Sequence, residues 1–188
     1  MKKNQLKWFK YTLLSIFIIF LIYTYVGNIG VVREYIKQDV ENGTIGEFIK
    51  NSELEQSFYT DQSNLSGISV RLATYMRTNK GSLLIGIREM GSDKNIYENK
   101  IQVDSVRDNE MFDFRFPPIK FSKGKIYSIY IKSIDTEPGE SITVYKSNEE
   151  SYENGKLYIN GNEQKGDLVF RAYYNRTIFD YLKNKLGG

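Results

Sequence analysis

The amino-acid sequence predicts a mainly β protein, an antiparallel two-layer β-sandwich behind an N-terminal transmembrane helix, with a short C-terminal helix. Three observations predict this class. Residues 11–32 carry no charge, whereas Lys10 precedes them and Arg33 follows them. From about Glu53 the apolar residues recur with the period of two that is typical of strands. After Tyr174 the apolar spacing becomes helical.

The uncharged run at 11–32 predicts an uncleaved membrane anchor. A helix of this length spans roughly 33 Å, enough for a bilayer core of about 30 Å. Apolar residues on all sides argue against an ordinary buried core helix. A cleaved signal peptide is the alternative interpretation, but the sequence has no small-x-small cleavage site at the end of its apolar part, where bulky Tyr23, Tyr25 and Val26 precede Gly27.

The charges beside the run predict its orientation. The segment 1–10 contains four lysines and no acidic residue, whereas Glu34 directly follows Arg33. Because lysine and arginine remain on the cytoplasmic side, we expect a cytoplasmic tail at 1–10 and an extracellular remainder. The sequence therefore predicts a single-pass protein of the cell membrane.

Composition excludes several functional classes. Four of the 26 lysines and arginines lie in the tail, so the outer part has 22 basic and 23 acidic side chains. This balance argues against a nucleic-acid partner. Cysteine and histidine are both absent, which removes disulfides, the usual zinc sites and the Ser-His and Cys-His nucleophile pairs. We expect no cofactor, no metal and no enzymatic activity.

Residues 33–52 are interpreted as a juxtamembrane stalk. Tyr35, Ile36 and Val40 show helical spacing, and Thr44 with Glu47 has the spacing of a capping box for a second short helix. The segment then either lies on the membrane or packs on its own domain, and the second interpretation is favoured.

Residues 53–174 predict the sandwich. Short runs rich in β-branched and aromatic residues alternate with turn residues, and they predict strands near 53–59, 66–76, 82–89, 95–103, 110–116, 125–134, 140–146, 155–159 and 167–174. In the clearest strand Phe112, Phe114 and Phe116 share one face, and Pro117 is expected to end it. The pattern does not distinguish a jelly roll from an immunoglobulin-like topology.

Residues 175–188 predict a C-terminal amphipathic helix. Thr177 is its expected N-cap, and Ile178, Phe179, Leu182 and Leu186 form its apolar stripe. The helix would dock on the sandwich, on the membrane or on a partner, and docking on the same chain is the default expectation.

Several strand and turn motifs carry a resemblance to a known group. They are Phe58, the segment Leu65-Ser66-Gly67-Ile68-Ser69-Val70, Asp108-Asn109 before Phe112-x-Phe114-x-Phe116-Pro117-Pro118-Ile119, Ser122-Lys123-Gly124-Lys125-x-Tyr127, Tyr152-x-x-Gly155 and Gly166-Asp167-Leu168-x-Phe170-Arg171. With them, the region from Glu53 to Tyr174 resembles the extracytoplasmic jelly-roll domain, galactose-binding-like or carbohydrate-binding-module-like, of bacterial membrane-anchored envelope and glycosyltransferase-associated proteins. The resemblance implies a jelly-roll topology and a role beside glycan-handling enzymes. The resemblance does not imply an enzymatic activity for this chain, because the shared motifs are not catalytic and the sequence shows one anchor and no polytopic enzyme.

Strand alternation separates an inward set from an outward set of side chains. The inward set is Ile68, Val70, Leu72, Leu83, Ile85, Ile87, Phe112, Phe114, Phe116, Tyr127, Ile129, Ile131, Ile142, Val144, Leu168 and Phe170. The outward set is rich in tyrosine and arginine, which stack on sugar rings and grip carboxylate or phosphate groups, respectively. This combination suits an anionic envelope polysaccharide. The candidate ligand-binding residues are Arg71, Tyr75, Arg88, Arg115, Tyr130, Arg171 and Tyr173. The alternative is an ordinary solvated face.

The sequence thus favours a non-catalytic extracellular module that recognises envelope glycan or assists a membrane enzyme of glycan assembly. The first alternative is an accessory subunit that binds a membrane protein partner, and the second is a small hydrolase that uses two carboxylates. A weaker hypothesis is a calcium site built from Asp104, Asp108, Glu110 and Asp113.

Overall fold

A computed structural model describes residues 2–28, 30–177 and 186, and the chain divides into two compact units. One unit, the β unit, covers Glu34–Tyr174. The other comprises Met1–Arg33 together with Asn175–Gly188. The fold is mainly β with antiparallel sheets, as the sequence predicts.

One long helix, α1, covers Lys2–Asn28. Its described side chains from Lys7 to Tyr23 are all exposed. The helix ends before the predicted limit at residue 32, because Gly27, Asn28 and Gly30 are poor helix formers and Gly30 already begins a strand. Over the residues that the structure describes, no helix is both long and apolar enough to cross a bilayer. The side chains of 24–31, part of the predicted anchor, lie outside the described ones.

The described residues form twelve strands and one 3-10 turn, Val103–Ser105. The strands are β1 (Gly30–Gln38), β2 (Gly43–Thr44), β3 (Glu53–Thr60), β4 (Leu65–Ala73), β5 (Ser82–Glu89), β6 (Tyr97–Gln102), β7 (Glu110–Ile119), β8 (Lys125–Ser133), β9 (Thr143–Lys146), β10 (Leu157–Ile159), β11 (Asn162–Gln164) and β12 (Phe170–Thr177). All nine predicted strands are present, and β1, β2 and β11 were not predicted.

The strands form two sheets. The first sheet has the order β1-β12-β4-β9-β2, with β7 also paired to β4, and the second has the order β11-β10-β3-β8-β5-β6. Successive long strands change sheet: β3 lies in the second, β4 in the first, β5 in the second, β7 in the first and β8 in the second. Every pairing given for β3, β4, β5 and β8 is antiparallel. The β unit is therefore sandwich-like.

The core lies between the inner faces of the two sheets and confirms the predicted inward set. The buried members are Ile68, Val70, Leu72, Leu83, Ile85, Ile87, Phe114, Phe116, Tyr127, Ile129, Ile131, Ile142, Val144, Leu168 and Phe170, and Phe112 is partly buried against them. The ring of Phe58, which is fully buried, lies 5.9 Å from that of Phe170 and 6.4 Å from that of Tyr127. Burial of such side chains contributes about 1.5–3 kcal/mol each.

Strand β7 continues through Pro117 and Pro118 to Ile119, so the predicted end at Phe116 is wrong. Proline cannot donate to a ladder, but edge strands tolerate it. Among the described residues β7 pairs with β4 alone. The ladder is also irregular between Leu65 and Gly67, beside the two prolines.

The two helices predicted within 33–52 are absent, and this segment belongs mostly to the β unit. A spacing of four fits a helix and also a strand, and in β1 Ile36 and Gln38 are buried while Lys37 is exposed. The second helix fails at Gly46, which has a φ of +82°. Glu47 does not cap a helix, because its carboxylate accepts the N–H of Gly139 and pairs with Arg77.

The predicted C-terminal helix lies almost wholly outside the described residues. Its first three residues, up to the expected cap Thr177, belong to β12, so that part of the prediction is wrong. Leu186 is helical and exposed.

Two aspartates fasten loops of the β unit and predict an acid-sensitive stability. Asp108 accepts the N–H (2.6 Å) and hydroxyl (2.9 Å) of Thr74, and Asp135 accepts the N–H (2.6 Å) and hydroxyl (2.7 Å) of Ser82. These hydrogen bonds lower the pKa of both carboxyl groups. A lowered pKa contributes stability above the unfolded value, about 3.9, and that stability is lost as the pH falls through the folded pKa.

We therefore expect the free energy of unfolding to fall below about pH 4 and to fall less steeply in the double variant Asp108→Asn/Asp135→Asn. Urea denaturation at a series of pH values measures both slopes. Equal slopes in the two proteins would show that these aspartates do not carry the acid sensitivity.

Candidate ligand-binding face

Four of the seven predicted ligand-binding residues lie on the outer face of the first sheet. The register places Tyr173, Gly67 and Arg115 side by side across β12, β4 and β7. The next outward row contains Arg171, Ser69 and Asp113. Arg71 follows on β4, beside Tyr145 of β9. We call Arg71, Arg115, Tyr145, Arg171 and Tyr173 the Arg–Tyr face.

Arg115 lies across Gly67 and stacks on Tyr173. Its guanidinium carbon is 3.5 Å from the centre of the Tyr173 ring. Gly67 leaves the space for this, since a Cβ there would come within 2.7 Å of Arg115 Cδ. The Tyr173 hydroxyl is 3.1 Å from the hydroxyl of Ser69, and Arg115 donates to Asp113 at 3.2 Å. Both side chains are thus held from two sides.

Arg71 forms a second stack of the same kind. Its guanidinium carbon lies 5.3 Å from the centre of the Tyr145 ring, and the group pairs with Glu41. The Tyr145 hydroxyl donates to the side-chain oxygen of Asn109. Strand β9, which carries Tyr145, pairs with β4 next to Arg71 at Leu72. A carboxylate, a guanidinium, a phenol and an amide therefore meet at one place.

Arg171 completes the face, and among the described residues no tyrosine ring stacks on it. Its guanidinium lies 3.4 Å from carboxylate oxygens of both Glu34 and Asp39. The Nε atoms of Arg71 and Arg171 are buried, and neither has a hydrogen-bond partner among the described residues. Both Nε–H groups can therefore still donate a hydrogen bond. Leaving such a buried donor without an acceptor costs free energy of folding.

Each arginine of the face is paired with at least one carboxylate. The three arginines face four carboxylates, those of Glu34, Asp39, Glu41 and Asp113. The arginine side chains are 31% to 40% exposed, so the pairs remain open to a ligand. The face is rich in planar hydrogen-bonding groups, but it is not a patch of positive charge.

Arg88 and Tyr130 lie on the second sheet instead and do not join the other predicted residues. Arg88 stacks 4.3 Å from the centre of the Tyr130 ring and pairs with Glu55. The side chain of Arg88 is only 14% exposed, and Tyr130 is 8% exposed. Lys132 beside them pairs with Glu53, which lowers the pKa of Glu53 and raises that of Lys132. This cluster is closed rather than ligand-accessible.

Tyr75 occupies a third place, the loop after β4. Its ring lies 4.9 Å from the guanidinium carbon of Arg77, which pairs with Glu47. The seven predicted residues therefore divide among the first sheet, the second sheet and this loop. Strand alternation correctly predicts the outward direction of the four residues on the first sheet. It is wrong for Tyr130, which is buried, and Tyr75 lies beyond the end of its strand. Alternation also does not indicate which sheet a strand joins.

Sequence reasoning did not select Tyr145, Asp113 and Asn109 as site residues. Tyr145 and Asp113 alternate with buried neighbours in their strands, a signal that was available. Asn109 had no such signal, because it reaches Tyr145 from a loop in a left-handed conformation, with a φ of +59°.

A shallow cleft borders the face along β7. It has a volume of about 230 Å³, and its lining includes Met111 and Asp113, the neighbours of Arg71 and Ser69 in the β4–β7 register, together with Arg107 and Glu110. This is smaller than the ~300–1,000 Å³ of sites that enclose a whole drug-sized ligand.

Three of the four carboxylates of the calcium hypothesis have separate partners. Asp108 binds Thr74, Glu110 pairs with Arg107 at 3.6 Å, and Asp113 pairs with Arg115. Within the part of the chain that the structure describes, no group of three or more acidic, histidine or cysteine side chains is placed to hold a metal ion.

Comparison with known protein families and curated sequences finds no match, so a functional conclusion has to rest on the fold and on the geometry of the Arg–Tyr face. No protein-family model matches the chain, and no curated protein sequence matches it.

Proposed function

We propose that the chain is a non-catalytic module, held at a membrane by α1, which binds an envelope polysaccharide through the Arg–Tyr face. The observation that carries this proposal is the set of three partly exposed arginines on adjacent strands, all held by carboxylates and two of them, Arg71 and Arg115, also by ring stacking. Fixed planar groups of this kind lose little conformational entropy when they form hydrogen bonds.

The ion pairing specifies the class of ligand. Because each guanidinium already faces a carboxylate, a polyanion would have to displace an internal partner. Sugar hydroxyl groups can instead donate to the carboxylates and accept from the remaining guanidinium N–H groups. We therefore propose recognition of glycan hydroxyl groups, without a requirement for an acidic sugar.

The strand order supports a jelly-roll topology for the β unit. Successive long strands alternate between the two sheets, and β3, β8 and β5 are neighbours in one sheet while β12, β4 and β7 are neighbours in the other. This arrangement brings the Arg–Tyr face together from strands far apart in the sequence.

The exposed side chains of α1 support membrane attachment. Trp8 is 77% exposed, Ile16 is 60% exposed and Ile19 is 65% exposed. A helix that is apolar on all sides is stabilised by lipid rather than by water. The lysines of the tail favour the cytoplasmic side for the N-terminus, and the β unit would then lie outside the cell.

The test of glycan binding compares Arg71→Gln with Arg77→Gln. Each arginine stacks on a tyrosine, pairs with a glutamate and has a side chain 34% exposed, but only Arg71 belongs to the face. We expect Arg71→Gln to weaken retention of the full chain on an envelope polysaccharide about tenfold, the effect of one charge-assisted hydrogen bond. Arg77→Gln should bind like the unaltered protein.

The same experiment separates the alternatives. Equal losses in both variants, or retention that disappears at high salt, would contradict recognition by the face. If no polysaccharide retains the unaltered chain and crosslinking in the membrane captures a protein at Arg71 or Arg115, the accessory-subunit hypothesis replaces this one.

A further inference from the structure

Five exposed apolar side chains gather at one end of the β unit. They are Tyr59, Met90, Ile96, Phe121 and Ile126, with exposed fractions from 42% to 83%. Ile126 stands opposite Tyr59 in the β8–β3 ladder, and the N–H of Met90 donates to the carbonyl of Ile126 at 2.9 Å. Phe121 lies in the turn between β7 and β8, which is fastened to the end of β3 by the hydrogen bond from Gly124 N–H to Thr60 O.

Phe121 is the most exposed of the five, and lysines flank it. It is 83% exposed, and Lys120 and Lys123 are both exposed, with no ion pair among the described residues. The acidic side chains of this end are Asp61, Glu89, Asp93 and Glu153, of which Glu89 is neutralised by Lys125. An aromatic ring between two free lysines is typical of segments that sit at the lipid head-group level.

The chain also enters the β unit at this end. Tyr174 pairs with Leu65, and the N–H of Asn64 donates to Ile119, two residues before Phe121. The ring of Tyr35 packs edge-on against that of Tyr174, with the ring centres 5.2 Å apart. Glu34, the first residue of the unit, precedes Tyr35, and only five residues, 29–33, separate it from the end of α1.

We propose that this end of the β unit rests on the lipid surface, with Phe121 inserted among the head groups and Lys120 and Lys123 on lipid phosphates. The proposal rests on the proposed attachment of α1 to a membrane, because a short connection keeps this end close to the lipid. The contact limits the orientations of the β unit and hence of the Arg–Tyr face.

The test uses single cysteines, since the chain has none of its own. Phe121→Cys, Met76→Cys and Phe17→Cys are each labelled with a polarity-sensitive fluorophore in the full chain. The proteins are then reconstituted in vesicles of phosphatidylcholine and phosphatidylglycerol that contain a nitroxide-labelled lipid. Met76 is the matched control, because it is 90% exposed and follows the opposite end of β4.

We expect quenching at position 121 to be at least twofold stronger than at position 76, and the Lys120→Gln/Lys123→Gln change to reduce it. Equal quenching at 121 and 76 with strong quenching at 17 would overturn the surface contact and leave the attachment of α1 intact. Weak quenching at 17 would overturn the attachment, and quenching at 121 would then support a direct lipid contact of the β unit.

Discussion

Replacement of Asp167 by alanine is expected to lower the free energy of unfolding of the β unit by about 3–5 kcal/mol. Asp167 is fully buried, and its carboxylate accepts three N–H groups: Gln56 Nε2 at 3.0 Å, Ser151 N at 2.8 Å and Tyr152 N at 2.9 Å. Alanine would remove the acceptor of the part-buried Ser151 and Tyr152 N–H groups, each at a cost of about 1–3 kcal/mol. Gln56 Nε2 would keep only its hydrogen bond to Ser57 O at 3.1 Å.

Two controls make this result specific. Asp167→Asn keeps the shape and one acceptor oxygen, so it should lose clearly less stability than Asp167→Ala. Asp113→Ala removes a carboxylate that is 51% exposed and should change the stability by less than about 0.5 kcal/mol. Urea denaturation of the full chain in detergent, followed by the near-ultraviolet circular dichroism of its tyrosines, measures all three. An Asp167→Ala loss as small as that of Asp113→Ala would contradict the hydrogen-bonded role.

Gly155→Ala is expected to cost about 3 kcal/mol or more, because the backbone there touches β3. A Cβ on Gly155 would lie 1.9 Å from the carbonyl oxygen of Ser57. The contact cannot open freely, since the N–H of Ser57 donates to Lys156 O at 2.9 Å and Lys156 N–H donates to Ser57 Oγ at 2.8 Å.

Gly91→Ala is the control for this substitution. Gly91 has a φ of +82° and no atom within 4 Å of an added Cβ, so alanine there meets only backbone strain of about 1 kcal/mol. The same denaturation experiment compares the two variants. If Gly155→Ala is no more destabilising than Gly91→Ala, the close approach of the two backbones does not contribute to stability as proposed.

The sequence was sufficient to predict the core strands, because alternation within one strand is a local property. The period of two in β4, β5 and β8 correctly predicted their limits to within a few residues and their buried faces. It failed at β1, because the four-residue spacing of Ile36 and Val40 fits a helix as well as a strand. What distinguishes a strand there is the pairing of β1 with β12, a strand from the far end of the sequence.

The candidate face was predictable only in part, because alternation describes one strand and not the neighbours of that strand in the sheet. Arg71, Arg115, Arg171 and Tyr173 were identified as outward residues, but their assembly depends on β12, β4 and β7 being neighbours. The pattern of Arg88 and Tyr130 is locally identical, yet their strands join the other sheet. Gly155 shows the same limit, since Asn154-Gly155 reads as a turn and its contact with Ser57 is visible only in the fold.

The central claim is that glycan binds at the Arg–Tyr face, and the most direct measurement is a titration that resolves individual tyrosines. The full chain with ¹³C-labelled tyrosine is titrated in detergent micelles with envelope polysaccharide fragments, and ring signals are assigned from tyrosine-to-phenylalanine variants. We predict shifts of Tyr145 and Tyr173, with Tyr75 and Tyr130 unchanged. Shifts confined to Tyr75 or Tyr130, or no shift of any tyrosine, would contradict the claim.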